Sequence, residues 1–172
     1  MQALENITYD ELNVGDSVTY TRALSEDEVV LFAAVSGDVN PVHLDPDYAA
    51  STPFGERIAH GMLSGAFISA ALATALPGPG TIYLEQQLKF RAPVMLRDIL
   101  TVKLVVAEKQ PKNRVLIDCI ITNQNDTVVV TGQAKVIAPT EKITLERPRL
   151  PRVLLNDNGE PREAHLDDET PE

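Results

Sequence analysis

The run from Gly61 to Leu76 constrains the fold more than any other stretch of the chain. It has the length of a helix and is apolar or small on every side, diluted only by Ser64, Ser69 and Thr74. A helix of this kind is predicted to be buried all round rather than laid on a surface. Its length and hydroxyls suit a core helix better than a membrane span. Pro77-Gly78-Pro79-Gly80 ends it, and its Ala, Gly and Ser residues let a sheet approach closely. The sheet is supplied downstream. Residues Thr81–Ala92, Ile99–Gln110, Arg114–Asn123 and Thr127–Ala138 are rich in β-branched residues and partly alternating. Turn-forming links join them, which predicts antiparallel meandering, with an early strand near 17–22 added. The expected fold class is α+β: a curved antiparallel sheet wrapped around the buried helix.

The 172 residues suit one domain, and 44% hydrophobic with 23% charged residues is ordinary globular composition. The net charge of −10 is uneven. Residues 156–172 hold seven acidic side chains against Arg162 alone, so the rest of the chain is close to balanced. No basic patch serves nucleic acid or an anionic membrane. Residues 1–145 read as the domain. Residues 146–172, with Pro148, Pro151, Pro161 and Pro171 and an acidic end, read as a poorly ordered tail or linker. Met1-Gln2-Ala3-Leu4-Glu5 lacks the pattern of a secretory signal. The single cysteine, Cys119, lies in an apolar run and has no internal partner, which fits a reducing cytoplasm.

The segment Ser36-Gly37-Asp38-Val39-Asn40-Pro41-Val42-His43 carries the candidate chemistry. A helix is predicted from the Ser25/Glu28 capping box to Gly37, which delivers Asp38 at its exit. Pro41 disfavours helical geometry at Asn40, so Asp38 and His43 can curl toward one another from a short loop. Spacing alone describes a capped turn as readily as a catalytic pair. Pro46 starts another short helix. His60 is expected to secure the loop before the central helix, and His165 to lie inert in the tail. The histidines and Cys119 lack zinc-site spacing, so no metal or cofactor is expected. Pro77–Gly80 lacks the context of a phosphate loop.

Phe32–His43, then Ile58-Ala59-His60-Gly61-Met62, then Pro79-Gly80-Thr81-Ile82-Tyr83-Leu84 resemble the MaoC-like, (R)-specific enoyl-CoA hydratases over residues 8–138 or so. The resemblance implies a hotdog fold, normally paired into a homodimer or a dimer of dimers. It also implies reversible hydration of a trans-2-enoyl-CoA to a (3R)-3-hydroxyacyl-CoA. By the same resemblance Asp38 and His43 match the catalytic pair and Gly61 the amide that binds the thioester oxygen. Ser69 matches a hydroxyl that helps hold the aspartate. Asn40, Ser69 and Tyr83 are the expected substrate-side positions. Lys89, Arg91, Lys103 and Arg114 are solvated strand charges from which CoA phosphates can draw a partner. Phe54, Phe67 and Leu72 are candidates for setting acyl-chain length. Some bacterial relatives continue from such a linker into a phosphate acyltransferase domain, which makes an acyltransferase a candidate partner. Two other readings stand beside the hydratase: a hotdog thioesterase, which needs a carboxylate aimed at the thioester carbonyl, and a non-catalytic acyl-CoA-binding or assembly module.

Overall fold

The computed structural model describes residues 3–157 and 159–166. Among these described residues nine strands and four helices follow in the order β1 (Ala3–Glu5), β2 (Ser17–Ala23), α1 (Glu26–Ser36), α2 (Pro41–Leu44), α3 (Pro46–Ala50), α4 (Gly61–Thr74), β3 (Ile82–Phe90), β4 (Ile99–Gln110), β5 (Arg114–Thr122), β6 (Val128–Ile137), β7 (Thr144–Glu146), β8 (Leu154–Asp157) and β9 (Glu160–Glu163). The main sheet is antiparallel throughout, with strand order β2-β4-β5-β6-β3.

Alternation along the central strands explains the core. Leu100, Val102, Leu104 and Val106 of β4 and Val115, Ile117, Cys119 and Ile121 of β5 are all buried on one face. The register pairs Val102 with Ile121, Leu104 with Cys119 and Val106 with Ile117. Leu63, Phe67, Ile68, Ala71 and Leu72 of α4 join them in one cluster. His60, the N-cap residue of α4, makes no side-chain capping bond. Burial therefore holds this helix, at about 1.5–3 kcal/mol for each large side chain.

Two expectations change. The helix is not buried all round: Met62, Ala66, Ser69 and Ala73 form an exposed stripe. Small and apolar residues on every side cannot tell a face packed on the sheet from one left bare. The four long strands do not simply meander either, because β3 pairs with β6 and becomes an edge. Phe67 and Leu72, candidates for setting chain length, lie within the core, while Phe54 is half-exposed.

Beyond residue 146, where the sequence suggests a tail or linker, β8 and β9 form an antiparallel hairpin. Arg162 of β9 donates two 2.7 Å hydrogen bonds to the buried carboxylate of Asp27, in the first turn of α1. The His165 amide donates to the same carboxylate, and Ser25 Oγ donates to the His165 carbonyl. His165, expected to be inert, thus takes part through its backbone. The Arg162 guanidinium, helped by the His165 amide and opposed by burial, holds the Asp27 carboxyl below its ordinary range. A depressed folded-state pKa gives stability that is present above the unfolded pKa and lost as pH falls through the folded one. Arg162→Ala should cost about 1 kcal/mol at neutral pH, because Arg162 is half-exposed and solvent screens the pair. Thermal denaturation would show Tm lower by roughly 2–4 °C at pH 7. The gap from the wild type should close as Asp27 protonates in acid.

Candidate active site

Each side chain of the site is placed by a local rule. The capping box forms as expected, with the Ser25 side chain accepting from Glu28 N and the Glu28 carboxylate accepting from Ser25 N. Gly37 closes α1 in the left-handed conformation at φ 76°, a region glycine enters without steric cost. The chain then turns so that Asp38 Oδ1 accepts from the Asn40 amide at 3.2 Å. Asn40 Oδ1 accepts from Val42 N, and Pro41 occupies the first turn of α2. Pro41 thus starts a second helix soon after Gly37 has ended the first, a short turn the sequence reading did not anticipate. His43 sits in its last turn and is buried.

The imidazole of His43 is oriented from behind. Its Nδ1 lies 2.8 Å from the Ile58 carbonyl. A carbonyl only accepts, so Nδ1 carries the hydrogen and Nε2 of the neutral ring presents a lone pair. That Nε2 stands 3.9 Å from Asp38 Oδ2. The distance is too long for a hydrogen bond, yet one water can bridge it with contacts of about 2.8 Å on each side. The Asp38 side chain is 52% exposed and that of His43 9%. The pair therefore has one open side and one closed side.

His60 lies directly against the pair. Its ring stacks on His43 with centroids 3.8 Å apart and 30° between planes, and Phe32 covers it at 5.0 Å. His60 Nε2 is 2.9 Å from the Asp38 carbonyl. Gly61 follows as the first residue of α4, so its amide has no acceptor within the helix and points where the helix dipole favours negative charge. A Cβ at Gly61 would meet the Phe90 ring at 3.0–3.3 Å. Asp38, His43 and His60 place potential ligand atoms within 4.8 Å of one another. An ion has to lie in the plane of each imidazole it binds, and two stacked rings offer no common position. The cluster does not suit a metal.

Other candidate residues stand apart. Ser69 lies eight residues beyond Gly61, about 12 Å along the helix axis, on the exposed stripe. Tyr83 hydrogen-bonds Gln86 of its own strand rather than a member of the site. Burial, with Cys119 nearby, pushes the Tyr83 phenol up to about 12. Sequence reasoning gave His60 a structural part and missed its contact with His43; its place directly before Gly61 was the available signal.

The model of the MaoC like domain matches residues 11–129. This chain belongs to the MaoC-like family. The family's hotdog fold is the sheet and central helix described above. The MaoC-like chain is 43% identical over 139 residues to the 3-hydroxybutyryl-CoA dehydratase of Methylorubrum extorquens, covering 81% of this chain and 88% of that one. It is 42% identical over 131 residues to the (R)-specific enoyl-CoA hydratase of Rhodospirillum rubrum, covering 76% and 91%. The unliganded structure of R-hydratase PhaJ1 from Pseudomonas aeruginosa superposes with a TM-score of 0.86 at 56% identity, covering 88% of the MaoC-like chain and 98% of that one.

Proposed function

We propose that this chain is an (R)-specific enoyl-CoA hydratase, a hydro-lyase that adds water reversibly to a trans-2-enoyl-CoA to give a (3R)-3-hydroxyacyl-CoA. The observation that carries the reading is the 3.9 Å gap between Asp38 Oδ2 and His43 Nε2, with Gly61 opening α4 directly after His60, whose ring stacks on His43. Both facing atoms are hydrogen-bond acceptors. A water between them donates one hydrogen to each and turns a lone pair outward, toward the β-carbon of a bound enoyl thioester. Asp38 takes the proton as the water oxygen adds to that carbon. The electron pair of the double bond moves through the α-carbon to the thioester oxygen, where the Gly61 amide receives the developing charge. One such donor is worth about 3–4 kcal/mol in comparable sites. The proton held by the pair then passes to the α-carbon, and the sum is one water added across one double bond.

The half-exposed Asp38 lies at an open side, and the bare stripe of α4 and the edge strand β3 offer a surface to close it. Met62, Ile82, Leu84 and Phe90 are exposed there. We place the homodimer interface on this surface, which a dimer of dimers would extend. Ala66→Arg, in the middle of the stripe, should halve the mass seen by light scattering. A wild type already monomeric at micromolar concentration would refute the interface. The proposed compartment is the cytoplasm, where buried Cys119 stays a thiol.

Loss of the conjugated-enoyl ultraviolet absorbance of crotonyl-CoA tests the activity, with free thiol measured in the same cuvette. Absorbance should fall with no thiol released. Thiol release would indicate the thioesterase, and binding without either change would indicate an acyl-CoA-binding module.

A further inference from the structure

We propose that His60 is a positioning residue for the Asp38–His43 pair, tying down the Asp38 main chain through Nε2–H and fixing the plane of His43 through its ring face. The inference rests on the hydratase reading and adds a third member to its machinery.

Three observations meet at this side chain. His60 Nε2 lies 2.9 Å from the Asp38 carbonyl. That carbonyl only accepts, so the neutral ring carries its hydrogen on Nε2 and its lone pair on Nδ1. The ring is 2% exposed, and Nδ1 has no protein hydrogen-bond partner among the described residues. The ring also stacks on His43 at 3.8 Å. A residue selected for packing alone would be better served by an apolar ring, because a buried polar atom left without a partner is destabilising. What histidine adds over phenylalanine at this place is a donor at the far corner of a flat ring, and that donor is spent on the residue whose carboxylate faces His43.

The consequence for His43 is geometric. The Ile58 carbonyl holds its ring at Nδ1, and the His60 ring bears on its face at 3.8 Å. An edge contact and a face contact together keep Nε2 aimed at Asp38 Oδ2. The titratable groups facing His60 are His43 on α2 and Asp38 on the loop.

His60→Ala, His60→Gln and His60→Phe separate the two contributions. Gln keeps a donor of similar reach and loses the ring; Phe keeps the ring and loses the donor. In crotonyl-CoA hydration His60→Ala should lower kcat by about 100-fold, the scale expected when a reacting pair is displaced by about 1 Å. KM should stay within about threefold. Each of the other two variants should recover part of the loss. A folded His60→Ala with kcat within threefold of the wild type, or a loss carried by KM alone, would overturn the proposal.

Histidine nitrogen NMR decides the matter without activity. The wild type should show the hydrogen of His60 on Nε2 and that of His43 on Nδ1, each facing its carbonyl, and the His43 ring nitrogen signals should shift in His60→Gln. His60 found with its hydrogen on Nδ1, or His43 signals that ignore the substitution, would overturn it. Should the wild type fail to hydrate crotonyl-CoA, the hydratase reading falls, and the NMR spectra still accept or reject the positioning role.

Discussion

Asp38→Asn is expected to lower kcat for crotonyl-CoA hydration by about 10³-fold while leaving the fold intact, and His43→Ala should act similarly. The magnitude lies within the 10²–10⁴-fold range of a positioned acid–base group. Asparagine keeps the oxygen that accepts from the Asn40 amide, so the turn survives, and a half-exposed carboxylate contributes little to packing. What is lost is the group that takes the proton from the bridging water. His43→Ala also removes the bond to Ile58 and the stack on His60, so a thermal melt should accompany it. The double variant should be scarcely worse than the poorer single one, because residues that act as a unit are not additive. Additive losses would mean that the two side chains do not share one water.

The second large effect is on stability. Gly132 sits in β6 opposite Leu88 of β3 and Cys119 of β5. A Cβ there would lie 2.0 Å from the Gln87 carbonyl oxygen and 3.0 Å from a Leu88 methyl. The first contact is with backbone and has no rotamer to turn aside. Gly132→Ala should therefore force β3 away from β6, at about 3 kcal/mol, the upper part of the range for overpacking. Tm should fall by roughly 10 °C. Because β3 carries Leu88 against Gly65 and Phe90 against Gly61, the displaced strand would also disturb the proposed oxyanion site. A Tm within 2 °C of the wild type, at unchanged activity, would show that the strand shifts more freely than this contact allows.

What could be read in advance was local. Ser25 and Glu28 sit three residues apart and cap α1; Gly37 ends it; Asn40 and Pro41 start the short turn that carries His43. These rules act within a few residues, so the approach of Asp38 to His43 was open to sequence reasoning. The β-branched runs likewise marked β4, β5 and β6. Features that depend on distant partners were not legible. Nothing in Ile82–Phe90 announces that it pairs with β6 across the sheet rather than with β4 next in sequence. Small side chains made α4 look alike on all faces, and only the placed sheet reveals which face is bare. The β8–β9 hairpin depends on Arg162 finding Asp27, 135 residues earlier. His60 had an informative neighbour in Gly61, but its ring contact with His43 arises from the loop fold around Ile58 and could not be read from spacing.

The most direct test is chiral analysis of the product formed from crotonyl-CoA by the wild type, with Asp38→Asn run beside it. The wild type should give (3R)-3-hydroxybutyryl-CoA alone and the variant almost none. A 3S or racemic product, or product formed equally well without the Asp38 carboxylate, would contradict the hydratase reading.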